Sequence, residues 1–389
     1  MRVFLVQTAH GLAPSSGGFK ANISLLRNLQ GLAKGIDPNI VHHDPLVTTF
    51  TDQDGIHNIV ISRNIFRDNY SYAQYLEDTR AYLEGDEFHP IMHDAVRIYS
   101  THISDFRPTH VIFNDALTMK ITAVHPLRST FKRISVIHSA EQLPFGPYCA
   151  GVSGHCLSAR IENNLLRNVD GIWAVSRAIQ DYAWEHGRLK TKFMIHSRNT
   201  FLSDKTRGLP KVRNNVERDE VGMINPCPYK GLSILLALAK KLPHIKFVTW
   251  ESWGSEPEDM EILRALPNVQ VLPTTLNTNE IWDRIRILLA PSIWYEAWGI
   301  VVTEAQLRGI PVIASNAGGL PEAKVGVPYC IPVKIVSGER QEALVKLMTD
   351  REAYLALVSL TAAKTRAWLE GLDCRAHEKW LLSMVDENE

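Results

Sequence analysis

Two carboxylates, Glu296 and Glu304, stand eight positions apart in the run PSIWYEAWGIVVTEAQLRGIPVIASNAGGLPEAK, which extends from Pro291 to Lys324. Gly299 and the apolar stretch Ile300-Val301-Val302 lie between them. The pattern predicts Glu296 in a loop, Trp298-Gly299 opening a helix, and Glu304 about one to two turns inside it. The free N–H groups and partial positive charge of a helix start suit an anion such as phosphate. Carboxylates just before and just after that start would repel the anion and are better suited to hydroxyls. An anion with hydroxyls on both sides describes a sugar nucleotide. Two glutamates at this spacing also describe a solvated helix face, so the neighbouring elements have to decide.

They favour a site. Gly309-Ile310-Pro311-Val312-Ile313-Ala314-Ser315 reads as helix end, tight turn and short buried strand. Ala317-Gly318-Gly319-Leu320-Pro321-Glu322 then gives a second glycine turn opening another helix. Strand, loop, helix, strand and glycine loop in succession is the order of a doubly wound α/β domain, whose ligands sit at the carboxyl ends of its strands.

This block, dense in matching positions from Pro291-Ser292 through Glu296 and Glu304 to Gly318-Gly319-Leu320-Pro321-Glu322, resembles the signature of family 4 retaining glycosyltransferases. The resemblance is thinner elsewhere but runs in order along nearly the whole chain. It implies the GT-B fold: two Rossmann-like doubly wound α/β domains facing a central cleft.

Bulk properties agree with two soluble domains. At 389 residues the chain exceeds one compact core. Lys+Arg and Asp+Glu both number 42, so no net positive charge argues for a nucleic-acid surface. The N-terminal apolar run is short for a signal peptide and no later run reaches a membrane span of ~18 residues. The expectation is therefore a cytoplasmic protein without a transmembrane segment. Lys20, Arg27 and Lys34 are too few to argue for docking on a membrane surface. Five scattered cysteines show no metal-ligand spacing and read as reduced thiols. Asp52-Gln53-Asp54-Gly55 has the look of a D-x-D metal site but reads better as a turn.

Strand candidates in the first half are Arg2–Gln7, His110–Asn114, Arg133–His138, Gly171–Val175 and Lys192–His196. Helices are predicted over Asn22–Ala33, Asp94–Phe106, Leu157–Asn168 and Ser176–His186. The polar stretch Ser203–Asp219 separates this half from a second with the same alternation. There the strand candidates are Glu220–Ile224, Ile245–Trp250, Val269–Leu272, Ile287–Ala290, Pro311–Ala314 and Tyr329–Val333. Helices are expected over Leu232–Leu242, Met260–Leu266, Glu280–Arg286 and Ile300–Arg308. The expected domains are 1–203, binding the acceptor, and 204–365, binding the nucleotide sugar. The resemblance implies that the last helix, about 366–389, returns to the first domain.

The resemblance also assigns roles to residues. Lys230, in Pro226-Cys227-Pro228-Tyr229-Lys230-Gly231, would neutralise a departing diphosphate as a point charge. Gly17 and Gly18, closing the first βα turn, would face that diphosphate from the other domain. Leu272 lies in the segment whose backbone meets the base. Glu304 would take the ribose hydroxyls and Glu296 the 3- and 4-hydroxyls of the sugar, with Ala297, Trp298, Gly299 and Ile300 offering backbone. His138 ends a strand-like run, which places it at a sheet's carboxyl edge. That position suits either a satisfied structural histidine or, by resemblance, a positioning or proton-handling group near the reacting sugar. The expected co-substrate is a nucleoside diphosphate sugar, UDP-linked in preference to GDP-linked. No tightly bound cofactor or metal is expected, because lysine and helix start replace a metal at the leaving group.

The chain departs from the family pattern in two places. Met223 stands where an arginine usually grips phosphate, leaving Arg198 or Asn225 to replace it. Trp250, Ser252 and Trp253 stand where a glycine-rich turn is usual. Two rival readings use the same scaffold: a sugar-nucleotide epimerase and a non-catalytic nucleotide-sugar-binding relative. An NAD-dependent oxidoreductase lacks its glycine fingerprint. The aromatic-rich stretch Ile40–Gly85 suits a small hydrophobic acceptor and equally a packed core. The acceptor and the oligomeric state are not legible.

Overall fold

Runs of apolar residues set the architecture. His110–Phe113 is buried at every position, as is Val312–Ser315. Strands covered on both faces belong to parallel sheets with helices on either side. The computed structural model describes residues 1–6, 17–32, 47–51, 56–61, 71–149, 156–202, 208–275, 277–334 and 338–386. The Asp52–Gly55 turn and the glycine-loop residues ahead of Gly17 lie outside them.

Contacts divide the chain into two units. One contains the N-terminal strand, Gly18–Thr200 and Cys374–Glu389; the other contains Phe201–Asp373. In chain order the first unit holds β1 (Val3–Leu5), α1 (Gly17–Leu32), β2 (Val47–Thr51), β3 (His57–Ile61), α2 (Tyr72–Glu84), α3 (Pro90–Phe106), β4 (His110–Phe113) and α4 (Ala116–Val124). It continues with β5 (Lys132–Ile137), α5 (Cys156–Arg167), β6 (Gly171–Ala174), α6 (Arg177–Gly187) and β7 (Lys192–Phe193). The sheet order is β1-β4-β5-β6-β7, every pair parallel. β2 and β3 form a separate antiparallel hairpin. Caps fix the helix starts: Ser176 accepts from Ile179 N at 3.0 Å and Asp115 from Thr118 N at 2.8 Å.

The second unit holds β8 (Glu220–Ile224), α7 (Leu232–Lys241), β9 (Lys246–Trp250), α8 (Pro257–Arg264), β10 (Val269–Leu272), α9 (Thr278–Trp282) and β11 (Ile287–Ala290). Then follow α10 (Ile300–Leu307), β12 (Val312–Ser315), α11 (Leu320–Ala323), β13 (Cys330–Ile331), α12 (Gly338–Thr349) and α13 (Arg351–Glu370). Its sheet is wholly parallel in the order β10-β9-β8-β11-β12-β13. The chain starts at β8, winds outward to β10, and returns to β11 on the other side of β8. That reversal is a topological switch point, and the crevice outside the carboxyl ends of β8 and β11 is where such sheets bind ligands.

Of the boundaries that differ from the sequence expectation, two bear on the packing. α9 ends at Trp282 rather than reaching Arg286, because Arg286 turns inward to donate to Leu347 O and Val216 O. The terminal segment joins the first unit at Cys374 rather than near 366. α13 is continuous to Glu370, and its Trp368 stacks on Trp298 within the second unit. The last helix, α14 (Ala376–Asp386), packs in the first unit: His110 Nε2 lies 2.8 Å from Leu381 O, and Trp173 meets His377 at 4.5 Å between ring centroids. Among the described residues no helix is long and apolar enough to cross a membrane.

Candidate active site

The loop between β11 and α10 carries Glu296, and two glycine turns hold it. After β8, the chain makes a 3-10 turn over Pro228–Lys230 and passes through Gly231 at φ +90°. A Cβ at Gly231 would fall 2.2 Å from Pro291 O, so only glycine lets this turn lie against the loop. Ile293 N and Trp294 N both donate to Tyr229 O, at 3.1 and 3.2 Å. From the other side, the turn after β12 brings Gly319 N to Glu296 O at 2.7 Å. A Cβ on Gly318 would lie 2.2 Å from the same oxygen. The loop is thus clamped between the ends of two neighbouring βα units.

This clamping brings three polar side chains together. Lys230 Nζ donates to Glu296 Oε1 at 2.5 Å, and Ser292 Oγ donates to the same oxygen at 2.5 Å. The two ionised side chains are partly accessible, Lys230 at 28% and Glu296 at 15%. Burial pushes the Glu296 carboxyl up, but the Lys230 charge and the two hydrogen bonds outweigh it, so its pKa lies below the usual range. The sequence reading gave Lys230 and Glu296 separate roles and did not pair them, and it gave Ser292 no role. Their pairing follows from the position of β8 beside β11, which local pattern does not encode.

Gly299 at φ +94° opens α10 without a side-chain cap. A Cβ there would fall 2.5 Å from Leu320 Cδ2. Ala297 and Trp298 are buried and Ile300 is half-buried. The Trp298 ring is committed to the interior: its Nε1 donates to Thr303 Oγ1 at 3.1 Å and it stacks on Trp368. The Trp298 ring is therefore unavailable to a ligand, and this residue has only its backbone to offer. Glu304 lies one turn inside α10 at 8% exposure. Arg308 Nη1 donates to its backbone oxygen and Arg308 stacks over Trp282. Leu272 ends β10 at the same carboxyl edge of the sheet.

Met223 is 1% exposed and belongs to the hydrophobic core around β8, with Val221, Leu235 and Phe247. Its side chain is therefore committed to that core. Asn225 is the first residue beyond β8, in the left-handed region at φ +58°. Its Oδ1 accepts from Gly254 N at 3.1 Å, while its buried Nδ2 has no partner among the described residues. Gly254 supplies the close approach missing at Trp250–Trp253; a Cβ there would meet Cys227 Sγ at 2.9 Å. Arg198, the alternative, sits in the 3-10 turn Arg198–Phe201 at the end of the first unit.

Gly17 and Gly18 open α1, which belongs to the first unit from Gly18 onward. His138 directly follows β5. Its Nε2 lies 2.8 Å from Asn22 Oδ1, its ring stacks on His196 at 5.7 Å, and burial lowers its pKa to about 4. The following loop is tied to α6, since Tyr182 Oη accepts from Tyr148 N and donates to Phe145 O. Among the described residues no group of His, Cys, Asp and Glu has the arrangement to hold a metal.

Comparison with known proteins supports the geometry of the second unit. Residues 221–350, or 130 of 389, match the family model described as glycosyl transferases group 1. A 36-residue segment is 58% identical to an uncharacterised 41.2 kDa protein in the cps region of Klebsiella pneumoniae. That match covers 9% of this chain and 10% of its relative, far less than two thirds of the latter's length. Among solved structures the chain is similar to sucrose-phosphate synthase of Thermosynechococcus elongatus, with a TM-score of 0.69 at 16% identity, covering 100% of this chain and 98% of the other. It is also similar to HepE of Anabaena in complex with UDP-glucose, with a TM-score of 0.62 at 14% identity and 99% of each chain covered. A glycosyltransferase of Rickettsia africae matches with a TM-score of 0.56 at 13% identity and 98% of each covered. The fold is GT-B, with two Rossmann-like α/β units, and residues 221–350 of the second match the glycosyl transferases group 1 model.

Proposed function

We propose that this chain is a retaining glycosyltransferase of family 4 that moves a sugar from a nucleoside diphosphate sugar to an acceptor hydroxyl. The observation that carries the reading is the Lys230–Glu296–Ser292 cluster at the β8/β11 switch point, beside the uncapped start of α10. Lys230 and the first N–H groups of α10 would stabilise the departing diphosphate, a contribution of about 3–4 kcal/mol for a well-placed donor. The C1–O bond breaks with its electron pair leaving on the diphosphate. The acceptor oxygen bonds C1 on the same face, and its proton passes to the leaving group. Glu296 would hold sugar hydroxyls and Glu304 those of the ribose. Leu272, Ala297, Trp298, Gly299 and Ile300 would contribute backbone, Asn225 the donor that arginine supplies in the family, and Gly17 and Gly18 the glycine turn. His138 would position the reacting sugar or acceptor. This electrostatic set needs no metal. The UDP and UDP-glucose complexes of HepE support a UDP-linked donor.

Thermal stabilisation by UDP-, GDP- and ADP-sugars tests the reading, since ligand at ~100 times its Kd stabilises by about 2.7 kcal/mol. One UDP-sugar should stand out, and Glu304→Ala should weaken it ten- to a hundredfold. The anomeric configuration of the product, read by NMR, should match that of the donor. A new epimer formed from donor alone would instead identify an epimerase. Full activity of Glu296→Ala would remove the carrying residue.

A further inference from the structure

His138 is held by two amides that no sequence pattern connects to it. Asn22 on α1 is 2% exposed and reaches across 116 positions to place Oδ1 2.8 Å from His138 Nε2. Gln142, closing the 3-10 turn Ala140–Gln142, accepts from His138 N at 2.6 Å and Ser139 N at 3.1 Å. Its own Nε2 donates to Asn114 O at 2.7 Å, which ties the turn to the end of β4. The ring is therefore fixed by α1 and the backbone by the turn. His138 Nδ1 is buried and has no protein partner among the described residues.

A carbonyl oxygen only accepts, so the nitrogen facing Asn22 Oδ1 must carry the proton. The second nitrogen of a neutral imidazole then keeps its lone pair. We infer that Asn22 is a positioning residue that locks His138 in the Nε2–H tautomer and reserves Nδ1 as a hydrogen-bond acceptor for a substrate hydroxyl.

An amide suits this task where a carboxylate would not. A carboxylate at position 22 would favour the imidazolium, in which both nitrogens donate and no acceptor remains. His196, stacked on the same ring, also favours the neutral form, because a cation on either ring would oppose one on the other. The tautomer is a property of the fold; only the word substrate rests on the glycosyltransferase reading.

Selective 15N-histidine labelling tests the lock on the whole protein, with His138 assigned by the signal lost in His138→Gln. The expected spectrum at pH 7 shows His138 Nε2 protonated and Nδ1 bare. Asn22→Leu removes the acceptor and should give averaged tautomers, with kcat lowered about tenfold and the donor KM little changed. Asn22→Asp keeps an acceptor oxygen, so Nε2 should stay protonated while the carboxylate draws a proton onto Nδ1 as well; a bare Nε2 in this variant would also overturn the inference. Wild-type His138 protonated on Nδ1, or an unchanged tautomer ratio in Asn22→Leu, would overturn the inference. If Asn22→Leu does not fold, the wild-type and Asn22→Asp spectra still decide. A locked tautomer in a protein with no transferase activity would leave the inference standing and sink the proposed function.

Discussion

Asp115 shows how one half-buried side chain serves structure at a cost that depends on pH. It caps α4, accepting from Thr118 N and Thr118 Oγ1 at 2.8 and 3.0 Å. Burial outweighs these bonds and raises its pKa to about 6 from the ordinary 3.8. Between those values the folded protein holds a proton that the unfolded chain has released. Raising the pH through this window therefore lowers stability, by about 2–3 kcal/mol in all. Asp115→Asn keeps an acceptor for the cap and cannot ionise. Its urea midpoint should match wild type near pH 4 and exceed it increasingly up to pH 6.5. His138 and His196, neutral in the fold because burial lowers their pKa, impose the opposite slope on both proteins, so the difference isolates Asp115. Parallel pH curves for the two proteins would refute the assignment.

Among the elements, the glycine turns do the positioning. Gly318 combines φ +54° with an approach of 2.2 Å between a would-be Cβ and Glu296 O. The neighbour is backbone and cannot swing aside, so Gly318→Ala must push the 296–298 segment away. Donor affinity should fall at least about tenfold, alongside a loss of more than about 1 kcal/mol in stability. Gly85, at φ +87° with nothing within 4 Å of its would-be Cβ, is the control. Gly85→Ala should incur only the left-handed strain, about 1 kcal/mol, and leave donor binding intact. Isothermal titration on both variants separates backbone strain from displacement of the loop. Equal binding by the two would show that the turn does not set the Glu296 loop.

At the scale of the molecule, the chain's end completes its beginning. α14 covers Gly171, where a Cβ would lie 2.5 Å from Met384 and 2.8 Å from Trp380. Asn28 Nδ2 donates to Cys374 O at 2.9 Å, and the buried His110 side chain reaches Leu381 O. Ending the chain at Asp373 exposes this surface of the first unit and leaves buried polar groups without partners. Calorimetry should then show the first unit melting roughly 10 °C lower, since each kcal/mol moves the midpoint of a domain of this size by about 2–4 °C. The transition of the second unit should hold its position. An unchanged thermogram would mean that α14 adds nothing to the first unit.

Much of this architecture was legible because parallel strands buried on both faces are written as continuous apolar runs. β5, β8, β9 and β11 fall within a residue of their sequence-based limits. The loop–helix setting of Glu296, Gly299 and Glu304 was also local, carried by a glycine, an apolar run and a second glycine turn. The hairpin β2–β3 escaped notice in a stretch with no clear alternation, and α4 because its apolar residues mark no single helical face. Tertiary structure alone decided the partners. It set β8 beside β11 so that Lys230 meets Glu296, and it brought Asn22 to His138. It also turned Met223 into the core and left Asn225 at the strand's end. Periodicity records which face of an element is buried, whereas contacts between side chains 66 or 116 positions apart depend on strand order and crossover, which no local run of residues specifies.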